Sequence, residues 1–246
     1  METFERRTAV VTGAASGIGL ALVEALGSAG TRVVMADINE PALREQARRL
    51  TTLGLTVEAV TVDVADAGAV DALAERAVDR FGTLHIAVNN AGIVNGGRAW
   101  ELTLDEWHRV LDINLWGVIH GVRAFVPRIL ATGDEGHVVN VASMAAVYAR
   151  ERLGPYTVAK HGVLGLSDVL RADLDGVGAP VGVSVVMPGM VRTGLNPIGT
   201  VEPSEVAANV LDAMRRGRPY VFTDHHHEAE VRGRLEAILE ARDDFI

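Results

Sequence analysis

The chain has 246 residues, 48% of them apolar, which is enough material for a sizeable α/β core. A formal charge of -9, from 32 acidic and 23 basic side chains, argues against nucleic acid or an anionic membrane surface as the main partner. Without cysteine there are no disulfides, thiolate metal sites or cysteine nucleophiles; METFERRTAV is too charged for a signal peptide, and no apolar run reaches the roughly 18 residues of a spanning helix, so a soluble cytoplasmic protein is expected.

TAVVTG (8–13) is β-rich and stops at glycine, and GIGLALVEALGSAG (17–30) has helical spacing with a glycine-terminated end. RVVMAD (32–37) precedes a helix over about 41–53, and VEAVTVDV (57–64) precedes a helix near 67–81. LHIAVNNAG (84–92) leads into a long helical stretch over about 105–131, and HVVNVAS (137–143) into a helix over 156–175. VGVSVVMPG (181–189) and PYVFT (219–223) complete the strands, and residues 224–246 are expected as an atypical helical tail. Apolar runs separated by helices imply right-handed β-α-β crossovers, hence an α/β, doubly wound parallel sheet of about seven strands in a single domain. The stretch 191–205, with Gly194, Pro197, Gly199 and Pro203, is the candidate mobile substrate loop.

The first strand runs into TGAASGIG, with glycines at 13, 17 and 19. A pyrophosphate site needs this: a tight turn into a helix, bare backbone, and free N–H groups at a helix N-terminus. The spacing, G-x-x-x-G-x-G, is a relative of G-x-G-x-x-G with the same mechanics, although a strand-to-helix turn that binds nothing also satisfies it. Asp37, at the end of the second strand, is placed to accept hydrogen bonds from the adenosine ribose hydroxyls, or is an ordinary acid opening a helix. A 2′-phosphate beside Asp37 would be repelled, and neither Ala14 and Ala15 nor Ile38 and Asn39 offsets that charge, so NAD is favoured over NADP. Asp63 either bonds the adenine amino group or is a plain strand-end acid.

Tyr156 and Lys160, the single lysine of the chain, are four apart and share one helix face. A free tyrosine, with a pKa of about 10, is a poor base at neutral pH, and a nearby ammonium is expected to lower that value. Lysine suits the task better than arginine because it is a compact charge with three steerable donors. Ser143, at a strand end, either bonds a carbonyl or developing alkoxide oxygen or caps a helix. Asn114 interrupts the apolar DINLWGVIHG, where it bonds backbone and bends the helix, positions a water for a proton relay, or does both.

Together these residues resemble the short-chain dehydrogenase/reductase family, in its single-domain branch. The motifs are TGxxxGxG (Thr12 to Gly19), NNAG (Asn89 to Gly92), Asn114, Ser143 thirteen residues before Tyr156, YxxxK (Tyr156 to Lys160) and PG (Pro188–Gly189), in the family's order from residue 8 to about 193. The resemblance implies a Rossmann-type fold and a catalytic tetrad. Tyr156 takes the alcohol proton, Ser143 holds the substrate oxygen, Lys160 binds the nicotinamide ribose and tunes Tyr156, and Asn114 anchors the water that passes the proton on. It implies cofactor contacts at Gly13, Ser16, Gly17, Ile18, Gly19, Asp37, Ile38, Asp63, Val64, Asn90, Ala91, Gly92, Tyr156, Lys160, Pro188, Gly189, Val191 and Thr193. Of these, Asn90 falls near the adenosine side and Thr193 at the carboxamide.

Substrate contacts are expected at Val94, Met144, Leu153 and Met190, an apolar set without a charged anchor. The implied activity is NAD-dependent interconversion of a secondary alcohol and a ketone on a hydrophobic, bulky or cyclic substrate such as a hydroxysteroid, terpenoid or alicyclic alcohol. The alternatives are a 3-ketoacyl-type reductase of the same family, which would prefer NADP, and a non-catalytic NAD-sensing module. Many relatives end in an Asp-Gly-Gly turn that packs across a tetramer; RPYVFTDHHHEAEV replaces it here, so a homo-oligomer is expected as either dimer or tetramer. His225, His226 and His227 point in different directions with no fixed carboxylate partner, and no metal site is expected.

Overall fold

In the computed structural model, which describes residue 1 and residues 3–243, seven parallel strands lie in the order β3-β2-β1-β4-β5-β6-β7. They are β1 (Thr8–Thr12), β2 (Arg32–Asp37), β3 (Val57–Thr61), β4 (Ile86–Asn89), β5 (Gly136–Val141), β6 (Val181–Met187) and β7 (Tyr220–Phe222). The helices are α1 (Gly17–Ser28), α2 (Glu40–Thr52), α3 (Ala67–Phe81), α4 (Leu104–Leu111), α5 (Gly117–Leu130), α6 (Gly154–Gly176), α7 (Pro203–Arg216) and α8 (Glu228–Asp243). No helix among the described residues is long and apolar enough to cross a membrane.

Both faces of the sheet are covered, which is why its strands read as unbroken apolar runs. Successive β1 side chains point to opposite faces: Ala9 and Val11 pack with Leu22 and Leu26 of α1 and Val210 and Met214 of α7. Val10 packs on the other face with Leu73 of α3 and Phe125 and Ile129 of α5. Each large side chain buried this way contributes about 1.5–3 kcal/mol. Local chemistry sets the helix ends. Asp66 caps α3 by accepting from Gly68 N and Ala69 N at 2.8 and 3.2 Å, Gly82 closes it at φ 82, and Thr103 and Glu106 form a reciprocal capping box at α4.

Three expectations need correction. The third strand stops at Thr61, which leaves Asp63 and Val64 in the following turn, where Asp63 accepts from Ala65 N at 2.9 Å. The stretch 105–131 is not one helix, since a π-helical turn over Asp112–Trp116 separates α4 from α5 and places Asn114 at its centre. Helix α7 was not expected, although Val206, Val210, Leu211 and Met214 carry its periodicity; it takes in the last three residues of the 191–205 loop. The tail does form a helix, α8, but none of its residues is buried, and 244–246 lie outside the described residues.

The chain builds outward from β1 to β3 and then returns to lay down β4 to β7 on the other side. β1 and β4 are therefore neighbours whose following segments diverge. A crevice opens at their carboxyl ends, where ligands bind in sheets of this topology.

Candidate active site

A cleft of about 420 Å³ occupies that crevice, from the glycine turn after β1 to the segment after β6. Gly13 and Gly17 adopt φ +64 and +54, the left-handed region that favours glycine. Ser16 precedes α1 without a side-chain cap, the first turn has no acidic residue, and Ser16, Gly17 and Ile18 line the cleft. Orphan N–H groups with the positive end of a helix dipole are thus presented to a ligand. Gly19 does not line the cleft; a Cβ there would overlap the Gly13 carbonyl oxygen, so its role is close packing of α1 on the turn.

Asp37 lines the same end of the cleft beside Ile38, Asp63 and Val64. Its Oδ2 accepts from Ala15 N at 3.0 Å and its Oδ1 from Asn39 N at 2.9 Å, and each oxygen keeps a lone pair for a hydroxyl. Lys160, at the opposite end, is the only basic side chain among the lining residues. Asn90 lines the cleft too, but its Nδ2 is held by the carbonyls of Thr12 and Gly13 at 2.9 and 3.2 Å. Thr12, the first residue of the glycine motif, has a structural role of its own. Its hydroxyl accepts from Asn90 N at 3.0 Å and Ala91 N at 3.1 Å, and so ties β1 to β4 at the crevice.

The other end is built from buried side chains. Lys160 is 3% exposed, and its Nζ donates to the Val141 carbonyl at 2.8 Å, which leaves two donors on the cleft side. Burial lowers its pKa to about 8. The helix carrying it is fixed from below: Asn89 donates to Asn140 at 2.8 Å, and Asn140 donates to Ser167 of α6 at 3.0 Å. Gly92 is also part of the packing, because a Cβ there would lie 3.0 Å from Asn114 Oδ1 and 3.6 Å from Lys160 Nζ.

Tyr156 lines the cleft, with Lys160 Nζ 5.7 Å from its ring centroid. Contrary to the sequence expectation, its pKa is raised above the usual value, because burial disfavours the phenolate; the hydrogen bond with Ser143 pulls in the opposite direction. A pKa above the usual tyrosine value leaves Tyr156 a neutral phenol at neutral pH. Ser143 combines both readings given to it: it lines the cleft and also caps the short 3-10 turn Met144–Ala146 by accepting from Ala145 N at 3.1 Å.

Asn114 is fully buried. Its Nδ2 donates to the Ile93 carbonyl at 2.7 Å and its Oδ1 accepts from Ile93 N at 2.8 Å. The amide therefore binds the backbone of another segment and fixes the wall that follows Gly92. The π-helical turn around it turns a side chain that is awkward within a helix into a tertiary clamp.

Pro188, Gly189, Val191 and Thr193 line the cleft on the β6 side, and the Thr193 hydroxyl accepts from Leu195 N at 3.2 Å. Of the expected substrate contacts only Val94 lines the cleft, where Ile93, Ile113 and Leu195 join it. Met144 is buried and faces a second groove beside α8. Leu153 bridges Gly97 at the start of α6, and the Met190 backbone is held by Asp224, Thr200 and Val201. Among the described residues no group of histidines and carboxylates is arranged to hold a metal; His227 instead packs on Tyr148 with ring centroids 4.8 Å apart.

Residues 7–199 match the family model described as short chain dehydrogenase. The chain is similar to 1-deoxy-11-beta-hydroxypentalenate dehydrogenase of Streptomyces avermitilis, at 43% identity over 88% of this chain and 84% of the relative. It is similar in structure to a short chain dehydrogenase/reductase from Burkholderia phymatum in complex with NAD, with a TM-score of 0.96, 33% identity and coverage of 98% and 97% of the two chains. Actinorhodin polyketide ketoreductase with NADPH is similar at a TM-score of 0.83 and 30% identity, covering 90% of this chain and 97% of that one.

Proposed function

The chain belongs to the short-chain dehydrogenase family, and we propose that it is an NAD-dependent dehydrogenase that interconverts a secondary alcohol and a ketone on a bulky, cyclic, apolar substrate. One observation carries this reading: a single cleft runs from a carboxylate with no basic side chain beside it in the lining to Tyr156, Ser143 and a buried Lys160. Residues fit a nicotinamide dinucleotide along its whole length. The uncapped first turn of α1 would hold the pyrophosphate, Asp37 the adenosine ribose and Lys160 the other ribose. The Asp37 carboxylate repels a 2′-phosphate, which favours NAD although a structural relative carries NADPH. The bulky cyclic substrate is supported by the name of the Streptomyces relative and by the apolar Ile93, Val94, Ile113 and Leu195 along the cleft.

When bound, the nicotinamide supplies the carbon that exchanges a hydride with the substrate. The chain handles the proton. In oxidation, Tyr156 Oη takes the hydroxyl proton of the alcohol while the Ser143 hydroxyl holds the same oxygen as it becomes a carbonyl. In reduction, the Tyr156 phenol gives that proton to the developing alkoxide. The positive charge on Lys160 stabilises the phenolate left behind, and Asn114 keeps the adjoining wall in place through Ile93. Because burial keeps Tyr156 protonated, the resting protein is ready for reduction, and oxidation gains as pH rises.

The test is ultraviolet absorbance of the reduced cofactor with a panel of alicyclic, steroid and terpenoid alcohols, run with NAD and with NADP. Turnover with NAD on a bulky alcohol is expected. A preference for NADP of about tenfold, roughly 1.4 kcal/mol, would overturn the cofactor assignment. Tight NAD binding without turnover of any alcohol would favour an NAD-sensing module.

A further inference from the structure

β6 and β7 pair in the register Val185↔Tyr220, Val186↔Val221 and Met187↔Phe222, so the residues after each strand leave the sheet side by side. Thr223 and Asp224 consequently face the turn 188–190, which lines the cleft through Pro188 and Gly189. The Thr223 hydroxyl accepts from Gly189 N at 3.0 Å, and Asp224 Oδ2 accepts from Met190 N at 3.0 Å. Two consecutive side chains thus grip two consecutive backbone donors. A Cβ on Gly189 would overlap the Asp224 carboxylate, so glycine is what lets the acid close on the turn. The other carboxylate oxygen accepts from His226 N at 2.9 Å, and the Asp224 side chain is 7% exposed.

The opposite side of the turn reaches the catalytic serine. The Pro188 carbonyl accepts from the N–H of Met144, the residue after Ser143, at 3.0 Å. A continuous series of hydrogen bonds therefore leads from Asp224 through 188–190 to the segment that presents Ser143. The C-terminal segment holds that same region again farther along, where Arg234 donates to the Val147 carbonyl at 3.2 Å.

We propose that Asp224 is a positioning residue for the reaction. Its carboxylate fixes the turn 188–190 at the nicotinamide end of the cleft and, through Met144, sets Ser143 against Tyr156. This rests on the dehydrogenase reading above. The two acceptor oxygens of an acid suit this place, because each receives a separate backbone donor, whereas asparagine offers one acceptor oxygen and turns an NH2 toward the other N–H.

The experiment compares wild type, Asp224→Ala, Asp224→Asn and Thr223→Val by steady-state kinetics on an alcohol that the wild type oxidises. Calorimetric titration with NAD and a melting temperature accompany each. Asp224→Ala is expected to lower kcat by about 100-fold, the scale of an ångström-sized misplacement, with a smaller change in the KM for alcohol and weaker NAD binding. Asp224→Asn should recover about tenfold of that loss, and Thr223→Val should lose about tenfold. An acid that served stability alone would lower the melting temperature and leave kcat unchanged in the folded protein. A kcat and NAD affinity within about twofold of wild type in folded Asp224→Ala overturns the proposal. If Asp224→Ala does not fold, the same result in Asp224→Asn and Thr223→Val overturns it. A wild type that binds NAD but oxidises no alcohol defeats the dehydrogenase reading instead. In that event NAD affinity decides, and unchanged affinity in Asp224→Asn sinks the positioning role.

Discussion

At the Asp37 end of the cleft a ligand meets main-chain N–H groups and a carboxylate that is already hydrogen-bonded by two backbone donors. At the Tyr156 end it meets a half-buried phenol whose pKa desolvation raises and a buried ammonium whose pKa is lowered to about 8. The first end is made of main-chain donors and one carboxylate that act separately and are replaceable one at a time. The second is made of groups whose protonation depends on being enclosed, so each one alters its neighbours. Binding and chemistry in one cleft should therefore respond very differently to substitution.

The largest break in this comparison is expected from Tyr156→Phe. It removes the oxygen proposed to transfer the proton yet keeps the ring, so turnover should fall by about 10³-fold or more while NAD affinity stays near that of wild type. Full activity in this variant would move the acid/base elsewhere. Next comes Lys160→Arg, which keeps a positive charge but forces a planar guanidinium into a fully buried place shaped around one contact with Val141. It should lower kcat by about 100-fold, and a variant with wild-type kcat would show that charge alone suffices. The smallest effect is expected at the other end. Asp37→Ala should weaken NAD by about tenfold and narrow the preference over NADP, with little change in kcat at saturating cofactor. A large fall in kcat in Asp37→Ala would erase the distinction between the two ends.

The same contrast marks how far the sequence could be read. The glycine turn, Asp37, and the Tyr156–Lys160 pair announce themselves through spacing within one strand, turn or helix, and the structure gathers them in one cleft. Asp224 gave no such signal. It lies in an irregular segment, its partner Met190 is 34 positions away, and only the register of β6 on β7 brings them together. The raised Tyr156 pKa is illegible in the sequence for a related reason: spacing places a cation nearby but carries no information about burial, and burial is the largest influence. Met144, Leu153 and Met190 were expected at the substrate because they flank catalytic motifs. A side chain's direction is set by the turn it occupies, and these turns aim only Val94 into the cleft.

By itself, the amino-acid sequence determined the parallel sheet, the glycine turn into α1 and the placing of Tyr156 and Lys160 on one helix face, because hydrophobic period and short-range spacing are local properties of a chain, whereas Asn114 and Ser143 joined that pair only through the family resemblance. The tertiary structure alone decided that Asn114 clamps Ile93, that Tyr156 rests as a neutral phenol, and that Thr223 and Asp224 hold the turn beside the cleft. Those outcomes depend on which distant groups meet and how much water remains around them, and strand order and packing fix both only when the chain has folded.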